Sequence, residues 1–121
     1  MSKPYAIIIE DDPQLSQIFT LALSSQFECE AIQDGQAALD RLAQVSPNVI
    51  VLDLHLPEVN GEKILSYICE EPRLGRARII LATADARMAE QLQDKADVVL
   101  LKPISPVQLR ELALRFASSQ S

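Results

Sequence analysis

The sequence predicts an α/β fold: a doubly wound five-stranded parallel sheet of order 2-1-3-4-5 with helices on both faces. Three observations lead there. Short apolar runs alternate with segments of helical periodicity along the chain, the pattern of repeated strand–helix units. Four of the five strand candidates are almost wholly apolar, as burial on both faces of a parallel sheet demands. The remaining candidate lies in FECEAI and is half polar, so it belongs at an edge. A second strand at the edge suits the order 2-1-3-4-5.

The elements follow in order. Ala6–Ile9 is the first strand. Pro13–Ser25 places Leu15, Ile18, Phe19, Ala22 and Leu23 at helical spacing. Asp12 before Pro13 fits an N-cap followed by the first helical residue. Glu28–Ile32 is the polar edge strand, and Gly35–Val45 is a helix with Ala38, Leu39, Leu42 and Val45 inward. Val49–Leu52 is the third strand, and Gly61–Cys69 is a helix with Ile64, Leu65 and Ile68 inward. Ala77–Ala82 is the fourth strand, followed by a polar helix over Asp85–Lys95. Val98–Leu101 is the fifth strand, and Ser105–Ala117 is the last helix, with a frayed tail over 118–121.

A chain of 121 residues with 48% hydrophobic residues suits one compact domain spanning 1–121. The net charge is −6 and no Lys/Arg run is present, which argues against direct nucleic-acid binding. No apolar run approaches the roughly 18 residues a membrane span needs. The opening MSKPYAIIIEDD lacks the features of a signal peptide. The expectation is a cytoplasmic protein with no membrane partner. Cys29 and Cys69 form no CxxC and show no metal spacing, so they read as small core hydrophobes and not as a disulfide.

The polar residues at the strand ends carry the chemistry. The first strand ends in Glu10-Asp11-Asp12, the third in Asp53, the fourth in Thr83 and the fifth in Lys102-Pro103. In a parallel sheet these ends share one edge. Ligands bind this fold at that edge, where the strand order reverses. The reversal falls between the strands that carry Asp11 and Asp53. Carboxylates gathered there repel by roughly 3–4 kcal/mol per pair at 4–5 Å and an effective dielectric near 20, so they call for a cation. Hard oxygen donors without a His or Cys cluster suit Mg²⁺. Lys102 adds a fixed positive charge and Thr83 a hydroxyl. Together these make a phosphoryl-transfer site in which Asp53 is the nucleophile and forms an aspartyl phosphate. In isolation each residue has a plainer reading. The acids after the first strand cap a helix, Thr83 favours a strand and Lys102 is a surface lysine. His55 reads as a solvent-exposed loop side chain, and Asp85 as a helix cap at the rim of the site.

The motifs Ile7-Ile8-Ile9-Glu10-Asp11-Asp12-Pro13, Asp53-Leu54-His55-Leu56-Pro57 with Gly61, Thr83-Ala84 and Lys102-Pro103 occur in this order at strand ends. Over essentially its whole length the chain resembles the receiver domain of two-component response regulators, a flavodoxin-like, chemotaxis-regulator-like fold. The resemblance implies that Asp53 is the phosphoacceptor. It implies that Asp11, Asp53 and the backbone carbonyl of His55 bind Mg²⁺, while Glu10 holds a metal-bound water. Lys102 would contact the phosphoryl oxygens, Thr83 would report the phosphate, and Lys102–Pro103 would be cis. A histidine kinase or phosphotransfer protein would donate the phosphoryl group to this signalling domain, which would catalyse only its own phosphorylation and dephosphorylation. The output partner or domain is unknown. Receiver domains usually carry Tyr or Phe three residues before the lysine, where this chain has Val99. A glycine often precedes the fifth strand, where this chain has Lys95-Ala96.

Two other function classes compete. A receiver-like interaction module that acts without phosphorylation draws its support from Val99. A phosphohydrolase of the haloacid-dehalogenase type needs a second aspartate two residues after the nucleophile, where His55 stands.

Overall fold

The computed structural model describes residues 3–118. Five parallel strands, β1 (Tyr5–Ile9), β2 (Glu28–Ile32), β3 (Val49–Asp53), β4 (Arg78–Thr83) and β5 (Val98–Leu101), lie in the order β2-β1-β3-β4-β5. Alternate strand residues feed two cores. Ile7, Ile9, Ile50, Leu52 and Leu81 face one side, and Ala6, Ile8, Val49, Val51 and Ile80 the other. The first face is covered by α2 (Gly35–Leu42), α3 (Gly61–Glu70) and α4 (Ala86–Gln91). The second is covered by α1 (Pro13–Ser24) and α5 (Pro106–Ser118), through Phe19, Leu23, Leu109 and Ala113. Two-sided burial explains why the central strands are apolar except at their ends.

Helix starts follow the capping rules. Asp12 accepts from the N–H groups of Gln14 and Leu15, with Pro13 in the first turn. Asp34, Asn60 and Asp85 cap α2, α3 and α4 in the same way. Helix ends departed further from expectation. The second helix stops at Leu42, three residues short of Val45. There the Arg73 guanidinium binds the carbonyls of Leu42 and Val45 and the Ser46 hydroxyl. Arg73 sits in a 3₁₀ turn, Pro72–Leu74, that the sequence reading missed. The helix expected over Asp85–Lys95 is split into α4 and a 3₁₀ turn at Gln93–Lys95. Leu92 breaks it at φ −105°, ψ 6° while its side chain stays buried. At the C-terminus, Ser118 is the last residue of α5, not frayed tail, and 119–121 lie outside the described residues.

Candidate functional site

The five strands run in parallel, so their C-terminal ends bring Glu10, Asp53, Thr83 and Lys102 to one edge. Glu10 follows β1, Asp53 and Thr83 close β3 and β4, and Lys102 follows β5. The sheet ladder continues into these loops. Glu10 donates its N–H to Ile32 O (3.1 Å), Leu54 to Ala82 O (3.0 Å) and Lys102 to Thr83 O (2.9 Å). The side chains are therefore carried on paired backbone. The Lys102–Pro103 peptide is cis.

Glu10, Asp53 and Thr83 are buried, at 1%, 2% and 0% exposure. Carboxylate oxygens of Glu10, Asp11 and Asp53 lie within 4.8 Å of one another. Lys102 Nζ stands 3.0 Å from Glu10 Oε1 and 3.3 Å from Asp53 Oδ1. One ammonium thus pairs with two of the three acids. Glu10 Oε1 receives no well-directed hydrogen bond and has only this ionic contact. Burial, ahead of the adjacent Asp53 carboxyl, pushes the Glu10 carboxyl up to about 7, against the opposing pull of Lys102 and the Asp12 N–H. Burial works to depress the Lys102 ammonium, but Glu10 and Asp53 outweigh it and hold its pKa above the ordinary value.

The loop from β3 to α3 is shaped by close backbone contact. A Cβ on Gly61 would lie 2.6 Å from Leu54 Cα and 2.7 Å from Leu54 O, so only glycine lets α3 begin against the strand end. Glu58 takes a positive φ of 64° in the same loop. The His55 N–H turns back to donate to Asp53 Oδ1 at 3.1 Å. This fold back of the chain sets the His55 backbone against the Asp53 carboxylate.

The fourth strand end differs from the sequence expectation in one respect. The His55 ring is exposed, but it is not a free loop side chain. Its Nε2 lies 2.9 Å from Thr83 Oγ1. The same hydroxyl oxygen accepts the Asp85 N–H at 3.0 Å. Asp85 directs its carboxylate to the Arg87 and Met88 N–H groups as the cap of α4. The His55–Thr83 contact was missed because the residues are 28 positions apart and belong to different strand ends. Val99 is half-buried and packs against the core on the α2–α3–α4 face. Cys29 and Cys69 are free thiols, one partly buried and one exposed, so Cys69 is not the core residue the sequence suggested. No helix among the described residues is long and apolar enough to cross a membrane.

The site's donors fit a hard divalent cation. Three carboxylates converge, one of them carries a buried oxygen with no hydrogen bond, and no His nitrogen or thiolate joins them.

Comparison with known proteins agrees with this geometry. The family model of the response regulator receiver domain matches residues 6–114. The chain is 32% identical over 112 residues to the transcriptional regulatory protein TrcR of Mycobacterium tuberculosis, covering 90% of this chain and 42% of that one. It is 27% identical over 104 residues to the DNA-binding response regulator MtrA of Mycolicibacterium smegmatis, covering 85% of this chain and 46% of that one. The chain thus spans less than half the length of these curated relatives. The chemotaxis response regulator CheY4 of Vibrio cholerae superimposes with a TM-score of 0.85 at 19% identity, covering 95% of this chain and 99% of that one. With the family model spanning nearly all of the sequence and the same fold in a solved receiver, the chain belongs to the response regulator receiver domain family of two-component signalling.

Proposed function

We propose that this chain is a single receiver unit that accepts a phosphoryl group on Asp53. The observation that carries the reading is the buried Asp53 carboxylate, held between Lys102 Nζ and the His55 N–H beside two further acids. A carboxylate so placed is desolvated, oriented and pointed at an open strand edge, which is what a nucleophile requires. An Asp53 oxygen attacks phosphorus. The bond from phosphorus to the donor's leaving group breaks, and that group departs with the electron pair. The product is an acyl phosphate on Asp53. Water later attacks the phosphorus and returns Asp53 and inorganic phosphate. Lys102 stands where it can balance charge on the transferred group, and Thr83 can offer its hydroxyl to a phosphoryl oxygen.

Asp11, Asp53 and the His55 carbonyl would hold Mg²⁺, with Glu10 placed to bind one of its waters. Bound there, the ion would neutralise the developing negative charge on the phosphoryl oxygens. The proposed donor in the cell is a histidine kinase or phosphotransfer protein, and the domain's catalysis is limited to its own phosphorylation and dephosphorylation. The readout passes to an output protein or domain. The relative MtrA is DNA-binding. The net charge of −6 here supports a division of labour in which DNA contact, where it occurs, belongs to another domain. A cytoplasmic setting fits a kinase donor.

The test is direct. Incubation with Mg²⁺ and acetyl phosphate should add one phosphate to the intact protein by mass. Asp53→Asn should remove the addition, because an amide oxygen is a poor nucleophile. Labelling that persists in Asp53→Asn would place the acceptor elsewhere.

A further inference from the structure

Thr83 poses a problem of proton accounting. Its side chain is fully buried, at 0% exposure. A hydroxyl has one hydrogen to give and two lone pairs to receive with. One lone pair is taken by the Asp85 N–H at 3.0 Å. Among the described residues the only other partner of Oγ1 is His55 Nε2, at 2.9 Å. If the ring donated to Thr83, the hydroxyl hydrogen would be left buried with no protein acceptor among the described residues, a cost of about 1–3 kcal/mol for a buried unsatisfied group. The arrangement that satisfies every group has Thr83 donating to His55 Nε2, with the ring proton on Nδ1.

A phosphoryl group on Asp53 offers oxygens that only accept. Thr83 can serve it only by donating, and its single hydrogen is already committed. We propose that His55 is a positioning residue that latches the Thr83 hydroxyl in the unphosphorylated protein, and that phosphorylation works by taking this hydrogen away from His55. The inference rests on the phosphoacceptor reading of Asp53. It goes further in naming which bond breaks and which side chain is released. The freed ring borders a groove lined by Asp11, Leu56, Pro57 and Met88, so there is open space for it to occupy. The signal leaves the site through an exposed imidazole on the β3–α3 loop. Val99, with no ring to rotate and one stiff torsion, is not needed for that step.

His55 is the only histidine of the chain, so its ring gives a single set of nitrogen signals in untagged protein. The experiment follows these ¹⁵N signals at about pH 8, where an ordinary imidazole is neutral, first with Mg²⁺ alone and then with trifluoroberyllate as a phosphoryl mimic. The expected result in Mg²⁺ alone is one tautomer, Nδ1–H, with Nε2 accepting a hydrogen bond. Saturation with trifluoroberyllate should convert it to the exchanging tautomers of a solvent-exposed ring. Removing the competitor in His55→Ala should tighten trifluoroberyllate binding about three- to tenfold, the value of one net hydrogen bond. His55→Gln, whose amide oxygen can accept the same hydrogen, should return the affinity toward wild type. Ring signals unmoved at full occupancy, with occupancy read from bound fluorine resonances, overturn the latch and leave the phosphoacceptor reading standing. Equal affinity in wild type and His55→Ala does the same. No trifluoroberyllate binding and no acetyl phosphate labelling in wild type overturn both.

Discussion

The two ends of the sheet are built on opposite terms. At the C-terminal edge, Glu10, Asp53 and Thr83 are buried, and like charges converge on one ammonium. At the N-terminal edge, polar side chains are matched to backbone. Asn48 Oδ1 takes the Tyr5 N–H at 2.8 Å, while its own N–H meets Tyr5 O at 2.8 Å and its carbonyl accepts from Arg78 N at 2.9 Å. Asp97 Oδ2 accepts the Ile79 N–H at 2.7 Å, and its Oδ1 pairs with Arg78 at 3.1 Å. Arg73 closes the end of α2. Polar groups at that end tie strands and helix ends together, whereas those at the acidic end are held in mutual conflict. The same strands therefore carry matched polar groups at one end and crowded buried acids at the other.

Substitutions at the two ends should separate stability from chemistry. The largest effect is expected for Gly61→Ala. Its Cβ would meet Leu54 backbone at 2.6 Å, so the loop must shift with the His55 carbonyl it carries. A loss of about 3 kcal/mol, as for overpacking against rigid backbone, should accompany at least tenfold slower acetyl phosphate labelling. A variant that labels at the wild-type rate would show that the loop does not position the site. At the other end, Arg73→Ala should lower stability in urea by about 1–2 kcal/mol, since it uncaps carbonyls at a helix C-terminus. Its labelling rate should stay at the wild-type value. Slower labelling there would mean that the two ends are coupled.

The remaining effect should have the opposite sign. Glu10 is held at about 7 in the fold, above its ordinary 4.5, so the folded state keeps a proton that the unfolded chain releases. The stabilising contribution is complete below about pH 4.5 and is lost as pH rises through about 7. Without Mg²⁺, the urea midpoint should therefore fall between about pH 5 and pH 8, and Glu10→Gln should flatten the fall and raise the midpoint at pH 8. Added Mg²⁺ should offset the fall in wild type. A wild-type midpoint that climbs over this range would show that Glu10 is not the group under strain.

The sequence carried the sheet order and the strand-end residues because both follow from local rules. A half-polar run marks the edge strand, and an acid directly after an apolar run can lie only at a strand end. Asp12 and Asp85 were legible as caps for the same reason. What escaped came from contacts between distant segments. Helix α2 ends early where Arg73 reaches back 31 positions to Leu42. The helix after β4 breaks at Leu92, whose side chain is buried in the core. His55 meets Thr83 only because β3 and β4, separated in the chain by α3, lie side by side in the sheet. The positive φ at Glu58 carries no composition signal, since the residue is not glycine.

The order β2-β1-β3-β4-β5 also leaves two strands with only one partner each, and such margins can recruit strands from other molecules. Each margin is guarded differently. Along β2, Glu28 and Glu30 place negative charge on the open strand, and Glu30 is clasped by Arg41 at 2.9 Å and by the Tyr5 hydroxyl at 2.5 Å. On the far side, β5 is only four residues long and gives way after Lys102 to Pro103, which has no N–H to lend. Strand addition along either side of the sheet is thereby disfavoured, and the C-terminal edge is left as the end where polar side chains gather.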